Sequence, residues 1–149
     1  MIERRAIPRD AAAKSAIVTR IIAIGGTTAR QDPTPADIVR QDYTDGSKVI
    51  AAVVVAVEGA VVGWRVRLGG GNIGTIVHPG LQARGAGGVM FGLTADLVAK
   101  AEVATIRANN LPGLASYGRL GFADMGGAPE CGLQDGRVVA RVHRRFDVV

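Results

Sequence analysis

The spacing of apolar residues predicts two helices and three strands in the first half of the chain. Residues 4–7 form a short strand candidate that Pro8 ends, and residues 11–24 have helical periodicity that stops at Gly25. Asp10 is placed to cap that helix. The apolar face of the helix consists of Ile17, Ile21 and Ile24.

The next segments predict a short helix and a hairpin. Thr34 and Pro35 begin a helix that ends near Tyr43, because a cap residue followed by proline is typical of a helix start. Residues 48–57 are rich in Val, Ile and Ala and read as a buried strand, and residues 60–68 read as its partner. In the partner, apolar Trp64, Val66 and Leu68 alternate with Arg65 and Arg67.

The second half predicts strands alternating with helices. Residues 74–77 are a strand, and the helix that follows has an apolar face made of Val89, Met90, Leu93, Leu97 and Ala101. Residues 105–108 are another strand, and Asn110 caps a helix with Leu114, Tyr117 and Leu120 at helical spacing. We expect final strands at 122–125 and 137–146, joined by a long glycine-rich loop at 126–136. The order β-α-α-β-β-β-α-β-α-β-β predicts a mixed sheet with helices on its faces, in one domain over residues 1–149.

The turn between residues 82 and 88 carries the most specific chemistry. It reads Gln82-Ala83-Arg84-Gly85-Ala86-Gly87-Gly88 and leads into a helix. Free backbone N–H groups and the helix dipole favour an anion there, and glycines allow a phosphate to approach the backbone. The spacing matches neither a P-loop nor a dinucleotide-binding fingerprint. The residues alone therefore leave a phosphate site and an ordinary strand-to-helix turn open.

Three pieces in order resemble the GNAT acyltransferase superfamily. The turn fills every specified position of the motif Gln/Arg-x-x-Gly-x-Gly/Ala, and Val77-His78-Pro79 stands before it where that family has Val-x-Pro. The segment from Asn110 to Phe122 resembles the family's Asn…Tyr-x-x-Leu-Gly-Phe pattern. The resemblance is sharp over residues 74–122 and loose elsewhere.

The resemblance implies an α/β (mixed α+β) fold and a set of cofactor contacts. The sheet would have six to seven mostly antiparallel strands, splayed between the fourth and fifth, with about four helices. Residues Gln82 to Gly88 would bind the pyrophosphate of acetyl-CoA, and Ile76 and Val77 would offer backbone groups to its pantetheine arm. Asn110 and Gly113 would also lie against the cofactor. The alternative for Asn110 is a helix cap, and both roles are compatible.

Tyr117 stands where the family has the tyrosine that protonates the departing thiolate; the alternative is a packed structural tyrosine. The family's catalytic glutamate has no counterpart, since residues 71–75 contain no carboxylate. Glu58, His78, His143 and a water relay remain open as the base. Cys131 is expected to be a free thiol.

The resemblance implies acetyl transfer to the primary amine of a small molecule or amino acid, with the loose similarity of the chain's end to amino-acid and phosphinothricin acetyltransferases favouring a small acceptor. Trp64, Arg65, Arg67 and the loops at 25–36 and 126–136 would surround it. Arg65 or Arg67 would bind a substrate carboxylate, or form a solvated strand face. The alternatives are a silent acyl-CoA-binding module and a basic interaction domain.

Composition adjusts these expectations. The net charge is +5 over 149 residues, but the basic residues are scattered and aromatic residues are few, so nucleic acid is not expected as a partner. A polyanionic cofactor uses the same charge balance. One cysteine excludes an intrachain disulfide, and the two histidines lie far apart, so no metal site is expected. No signal peptide or membrane span is predicted, which favours the cytoplasm. A homodimer is expected without a defined interface.

Overall fold

The computed structural model describes residues 1–28, 30–82, 84–97 and 102–146. Its strands form one seven-stranded sheet in the order β1-β2-β3-β4-β5-β7-β6. Neighbouring strands are antiparallel except for the parallel pair β4–β5. The elements are β1 (Ile2–Arg5), α1 (Ala11–Ile24), α2 (Ala36–Tyr43), β2 (Val49–Val57), β3 (Ala60–Leu68), β4 (Asn72–Val77), α3 (Ala86–Leu97), β5 (Glu102–Arg107), α4 (Leu111–Arg119), β6 (Ala123–Gly132) and β7 (Val138–Phe146). The predicted element order and sheet class are confirmed.

The sheet is splayed between its two central strands. β4 and β5 pair only at Asn72 with Val103 and at Ile73 with Ala104. β4 then continues to Val77 without β5 beside it, while β5 stays paired with β7 along its whole length, as far as Arg107. The predicted splay between the fourth and fifth strands is therefore present, and it opens after Ile73.

Helices cover the two faces of the sheet with separate cores. On one face, buried residues of α1 and α2 pack on Val54 and Trp64. On the other face, Met90 of α3 packs with Val53 and Val55. A third cluster joins Phe122 and the β5 residues Ala104 and Ile106 to partly buried residues of α3 and α4, which are Phe91, Leu114 and Tyr117. This last cluster lies beside the splay and supports the residues that project toward it.

Four local expectations are corrected. Asp10 makes no side-chain cap on α1, because its carboxylate accepts from Arg4 at 2.8 Å and from the Ile7 N–H at 2.8 Å instead. Ile24 is 64% exposed in the last turn of α1, and Val89 is exposed on α3, so neither belongs to the core. The expected loop at 126–136 is mostly strand, since β6 extends to Gly132 by pairing with β7. The side chain of Leu97 and the whole of Ala101 fall outside the described residues.

Lys14 ties α1 to the end of α2 from a fully buried position. Its ammonium donates to the Tyr43 carbonyl at 2.7 Å and to Thr44 Oγ1 at 3.3 Å. It also stands 5.7 Å from the centre of the Trp64 ring. Burial lowers the pKa of Lys14 to about 8. The helical layer on this face therefore includes one titratable group whose charged form is disfavoured by its surroundings.

Candidate active site

The glycine turn presents an open backbone at the start of α3. Gly85 has φ +85°, a conformation that favours glycine, and its carbonyl accepts the first intrahelical bond from Val89 N–H at 3.2 Å. A Cβ at Gly87 would meet nothing closer than Ser116 Oγ at 3.8 Å, and one at Gly88 would meet nothing within 4 Å. The N–H groups of this first turn have no acceptor within the helix. The turn therefore has the geometry of an anion-binding site.

Side chains around the turn are exposed, which keeps it accessible. Gln82 and Arg84 are both exposed, and the Gln82 amide donates to the Val77 carbonyl at 3.4 Å. That contact links the turn to the end of β4. Ala86 is buried against β2 with Met90, so it anchors the first turn of α3 and does not face solvent. Ala83, which the motif includes, lies outside the described residues.

Alternate backbone groups of β4 face the splay. The His78 N–H donates to Val62 of β3, so by antiparallel alternation the Ile76 backbone faces β3 as well. The Thr75 and Val77 backbones then face the opposite side, where β5 has separated. Of the two residues predicted to offer backbone groups, Val77 is placed to do so and Ile76 is not. The Thr75 backbone faces the splay in the same way as that of Val77.

Tyr117 reaches the same place from α4. Its phenolic hydroxyl donates to Thr75 Oγ1 at 3.0 Å, and its ring packs edge-on against Phe122 with centroids 5.0 Å apart. The side chain is half-buried. The sequence pointed to Tyr117 but not to Thr75. Thr75 lies behind the phenol because it pairs with Arg65 across β3 and β4.

Arg65 is fully buried on this face of β3. Its Nη1 donates to Thr75 Oγ1 at 2.8 Å and its Nε to Thr94 Oγ1 at 2.9 Å. The guanidinium carbon lies 5.1 Å from the centre of the Phe91 ring and 5.9 Å from that of Phe122. Arg65 therefore lies behind Thr75, so the alternative of a solvated strand face is wrong for it, and its contact with a substrate carboxylate stays a prediction.

The other two residues predicted for the acceptor site are also buried. Trp64 is 1% exposed and packs under α1 and α2, so it presents no surface to an acceptor. Arg67 is 3% exposed and donates to the Leu68 carbonyl. The alternation of β3 was predicted correctly, but both of its faces are covered by other parts of the chain. The structure thus places Trp64 in the core and gives Arg67 no open surface.

Asn110 caps α4 and ties it to the loop after α1. Its Oδ1 accepts from the Gly113 N–H at 3.1 Å, and its Nδ2 donates to the Thr27 carbonyl at 3.3 Å. A Cβ at Gly113 would come within 2.5 Å of Asn110 Nδ2, which explains the glycine. The cap predicted for Asn110 is confirmed, and contacts of Asn110 and Gly113 with a cofactor stay a prediction.

The candidate bases are dispersed. His78 Nδ1 accepts from the Gly80 N–H at 3.1 Å, which leaves Nε2 as its available nitrogen. His143 Nδ1 is 2.9 Å from Thr105 Oγ1, where β7 pairs with β5. Glu58 is exposed at the β2–β3 turn with φ +49°. Cys131 is a free cysteine in β6. The base therefore stays unassigned.

Within the described part of the chain, no group of three or more His, Cys, Asp or Glu side chains could hold a metal ion. Among the helices of the same residues, none is both long enough and apolar enough to cross a bilayer.

Comparison of folds identifies close structural neighbours. No family model and no curated protein matches the chain in sequence. An N-acetyltransferase from Staphylococcus aureus Mu50 matches with a TM-score of 0.83 at 16% identity, over 99% of this chain and 98% of that one. A ribosomal-protein-alanine N-acetyltransferase from Brucella melitensis matches with 0.80 at 17% identity, over 99% of both chains.

A third neighbour was solved with the cofactor. It is a GNAT superfamily phosphinothricin acetyltransferase from Sinorhizobium meliloti in complex with acetyl-CoA, which matches with a TM-score of 0.78 at 18% identity, over 99% of this chain and 88% of that one. At such identities the likeness establishes the fold and not the activity. The resemblance found in the motifs is thereby confirmed at the level of the fold: this chain has the fold of the GNAT N-acetyltransferases.

Proposed function

We propose that the protein is an N-acetyltransferase that moves an acetyl group from acetyl-CoA to the primary amine of a small molecule or amino acid. The observation that carries the proposal is the convergence at the splay. There β4 leaves β5, the glycine turn begins α3 beside the end of β4, and Tyr117 approaches Thr75 to 3.0 Å. A glycine turn suited to an anion, the inner edge of β4 and a phenol thus lie along one opening, which supports the proposal.

Each part has a role in this proposal. The N–H groups of the turn hold the pyrophosphate, with Arg84 as an exposed cation beside it. The backbone of Val77 pairs with the pantetheine arm and polarises the thioester carbonyl, while the strands orient it for attack. Tyr117 supplies a proton to the departing sulfur, because a phenol is protonated at neutral pH. The acceptor amine attacks directly, with no acyl-enzyme stage.

A small acceptor is supported by one structural neighbour and left open by another. The Sinorhizobium meliloti protein is a phosphinothricin acetyltransferase, whereas the Brucella melitensis protein is named for ribosomal-protein alanine. We propose the small acceptor because of the loose similarity of the chain's end to amino-acid and phosphinothricin acetyltransferases. A cytoplasmic location and a homodimer belong to the same proposal.

Calorimetric titration tests the cofactor half of the proposal. Acetyl-CoA and CoA are titrated into the protein, with 3′-dephospho-CoA as the control. We expect micromolar binding of acetyl-CoA. An absence of heat and of any thermal stabilisation would refute the reading of the turn.

A thiol-release assay tests the transfer half. Amino acids, small amines and peptides with free N-termini are compared, in a Cys131→Ser background so that the single cysteine does not react with the thiol reagent. We expect release with at least one small amine. Turnover with peptides alone would replace the small acceptor by a protein N-terminus.

A second function is favoured by one observation. β4 (Asn72–Val77) contains no carboxylate, so the base that many GNAT enzymes carry on this strand is absent. An acyl-CoA-binding module without turnover needs no base. Stabilisation by acetyl-CoA together with no thiol release across the whole panel would support this second function over the first.

A further inference from the structure

The hydroxyl of Thr75 is the point where Arg65 and Tyr117 meet. Arg65 Nη1 donates to Thr75 Oγ1 at 2.8 Å, and the Tyr117 hydroxyl donates to the same oxygen at 3.0 Å. Arg65 is held from behind, since its Nε donates to Thr94 Oγ1 at 2.9 Å. Thr94 in turn donates to the Met90 carbonyl at 2.6 Å. A chain of hydrogen bonds therefore runs from α3 through a buried cation to the phenol.

The donor and the acceptor are fixed in only one of the two hydrogen bonds at Thr75, the one from Arg65. A guanidinium donates and never accepts, so Arg65 always occupies a lone pair of Thr75 and never its proton. The contact between Thr75 and Tyr117 joins two hydroxyls, and either can donate across the same distance. With Tyr117 donating, as in the structure, the phenolic proton points toward Thr75. With Thr75 donating, the phenolic proton is released to face the splay.

The heavy atoms of this group are held by aromatic packing. The Arg65 guanidinium packs against both Phe91 and Phe122, at 5.1 and 5.9 Å from their ring centres. The Tyr117 ring contacts the same Phe122 at 5.0 Å. Because both partners of Thr75 pack on one ring, the two hydroxyls can exchange roles without moving their side chains.

We propose that Thr75 is a positioning residue for Tyr117, and that the hydrogen bond between them reverses when an acyl donor's sulfur enters the splay. Thr75 then donates to Tyr117 Oη, and Tyr117 directs its proton to that sulfur. Because Arg65 cannot accept a hydrogen bond, the proton of the Thr75 hydroxyl stays available for donation to Tyr117. The inference rests on the acetyl-transfer function proposed above.

The transfer step balances with these roles. The acceptor nitrogen forms a bond to the acyl carbon, and the C–S bond breaks with its electron pair going to sulfur. Sulfur takes the phenolic proton, which leaves a phenolate on Tyr117 that the Thr75 hydroxyl stabilises by donating to it. The acceptor nitrogen loses one proton to solvent, and solvent returns one to Tyr117. The products are the amide and free CoA.

Raman spectroscopy tests the reversal without relying on turnover. The chain has two tyrosines, so a Tyr43→Phe background leaves Tyr117 as the single reporter. The intensity ratio of the tyrosine Fermi doublet differs between a phenol that donates and one that accepts. We expect a donor signature in the free protein, an added acceptor component with acetyl-CoA, and no such component with desulfo-CoA.

The outcomes separate the inference from the function on which it rests. If titration shows that acetyl-CoA does not bind, both are overturned. If acetyl-CoA binds and the doublet is unchanged, the reversal is overturned while the function stands. An identical change with desulfo-CoA would also overturn it, because the sulfur would then play no part.

Kinetic variants give an independent test. Thr75→Val removes the hydroxyl and should lower kcat by about 10- to 100-fold, with the KM for acetyl-CoA changed by less than about threefold. Thr75→Ser should restore most of the rate. The solvent deuterium isotope effect on kcat should increase in Thr75→Val, since proton transfer to sulfur becomes more limiting.

Thr44→Val is the matched control for stability. It also removes a buried threonine hydroxyl that accepts from a buried cation, Lys14 Nζ at 3.3 Å, but it lies at the end of α2, away from the hydrogen bonds that join Arg65, Thr75 and Tyr117. We expect both valine variants to unfold more easily, but only Thr75→Val to lose rate. Equal rate losses in the two variants, or equal rates in Thr75→Val and Thr75→Ser, would mean that Thr75 acts only through packing.

Discussion

Side chains of increasing size at Gly87 test the glycine turn most directly. Gly87 lies in the first turn of α3, and a Cβ built there has Ser116 Oγ at 3.8 Å as its nearest neighbour, which is an ordinary contact. A methyl group therefore fits the free protein. The motif itself admits Ala at this position, so Gly87→Ala should change acetyl-CoA affinity little. The two further methyl groups of Gly87→Val extend into the space where a phosphate would approach the backbone.

The size of the effect follows from the hydrogen bonds at risk. A hydrogen bond to a charged group contributes about 1.5–3 kcal/mol, so losing one from the pyrophosphate should weaken binding by about 10- to 100-fold. Replacing glycine within a helix stabilises it by roughly 0.5–1 kcal/mol in the case of Ala, and by less for Val. Gly87→Val should therefore bind acetyl-CoA poorly, while its free energy of unfolding should resemble that of a Gly→Val change elsewhere in the same helix.

Gly92 provides the matched control on the same helix. It is exposed, and a Cβ there would meet nothing within 4 Å. Gly92→Val should leave affinity unchanged and alter stability by a similar amount. Calorimetric titration gives the affinities, and urea unfolding gives the free energies. If Gly87→Val binds acetyl-CoA as tightly as Gly92→Val does, the first turn of α3 does not contact the cofactor and the site has been misassigned.

Three further predictions concern protonation. Burial lowers the pKa of Lys14 from 10.5 to about 8. Between about pH 8 and pH 10.5 the unfolded chain binds a proton at Lys14 that the folded chain has lost. The free energy of unfolding, compared with that of Lys14→Met, should therefore rise by about 3 kcal/mol as the pH increases over this interval. A difference between the two proteins that does not change with pH would contradict this. Burial raises the pKa of Asp10, but the hydrogen bonds from Arg4 and the Ile7 N–H, together with the charges of Arg4 and Lys14, outweigh it, so the pKa lies below its usual value. The ion pair should therefore contribute about 1 kcal/mol of stability, since it is partly exposed. This contribution is present above the pKa of Asp10 in the unfolded chain and is lost as the pH falls through its pKa in the folded protein. Asp10→Asn should remove this pH dependence from acid unfolding curves. Tyr117→Phe should lower kcat by about 100-fold or more and leave acetyl-CoA affinity intact; a matching loss of affinity and stability would make the tyrosine structural.

Local signals were sufficient for the order of elements. α1 runs from Ala11 to Ile24 as its periodicity and the following glycine predict, and Asn110 caps α4 as its position before a helix suggests. The splay and the place of Tyr117 came from the resemblance, because a gap between strands leaves no periodic signature. Helix ends and the alternation within a strand depend on short-range patterns, so the sequence alone predicts them.

Long-range pairing accounts for most of the errors. The sequence predicts only the start of β6 as a strand and residues 126–132 as loop, because glycines have low strand propensity, yet pairing with β7 extends the strand to Gly132. The sequence predicts a helix cap for Asp10, because nothing in the local pattern shows that Arg4 of β1 reaches its carboxylate. For Arg65 the sequence leaves a substrate contact and a solvated face open, since nothing local reveals that α3 and two phenylalanine rings cover it. One pattern in the sequence could have indicated Thr75. If residues 60–68 and 74–77 are aligned as an antiparallel pair, Thr75 lies opposite Arg65.

The opening between β4 and β5 is held by contacts on both of its sides, so it exists before any ligand binds. β5 stays paired with β7 up to Arg107, and Arg107 Nη1 donates to the Thr28 carbonyl in the loop after α1, which fixes the end of β5 away from β4. On the other side, His78 N–H and Val62 keep the end of β4 on β3. The Thr75–Tyr117 hydrogen bond bridges from β4 to α4, the helix that follows β5. The hydrogen bonds to β3 and β7 use backbone groups that point away from the gap, and moving β5 toward β4 would break the bond from Arg107 to the Thr28 carbonyl. An extended ligand can therefore pair with the inner edge of β4 without first separating the strands.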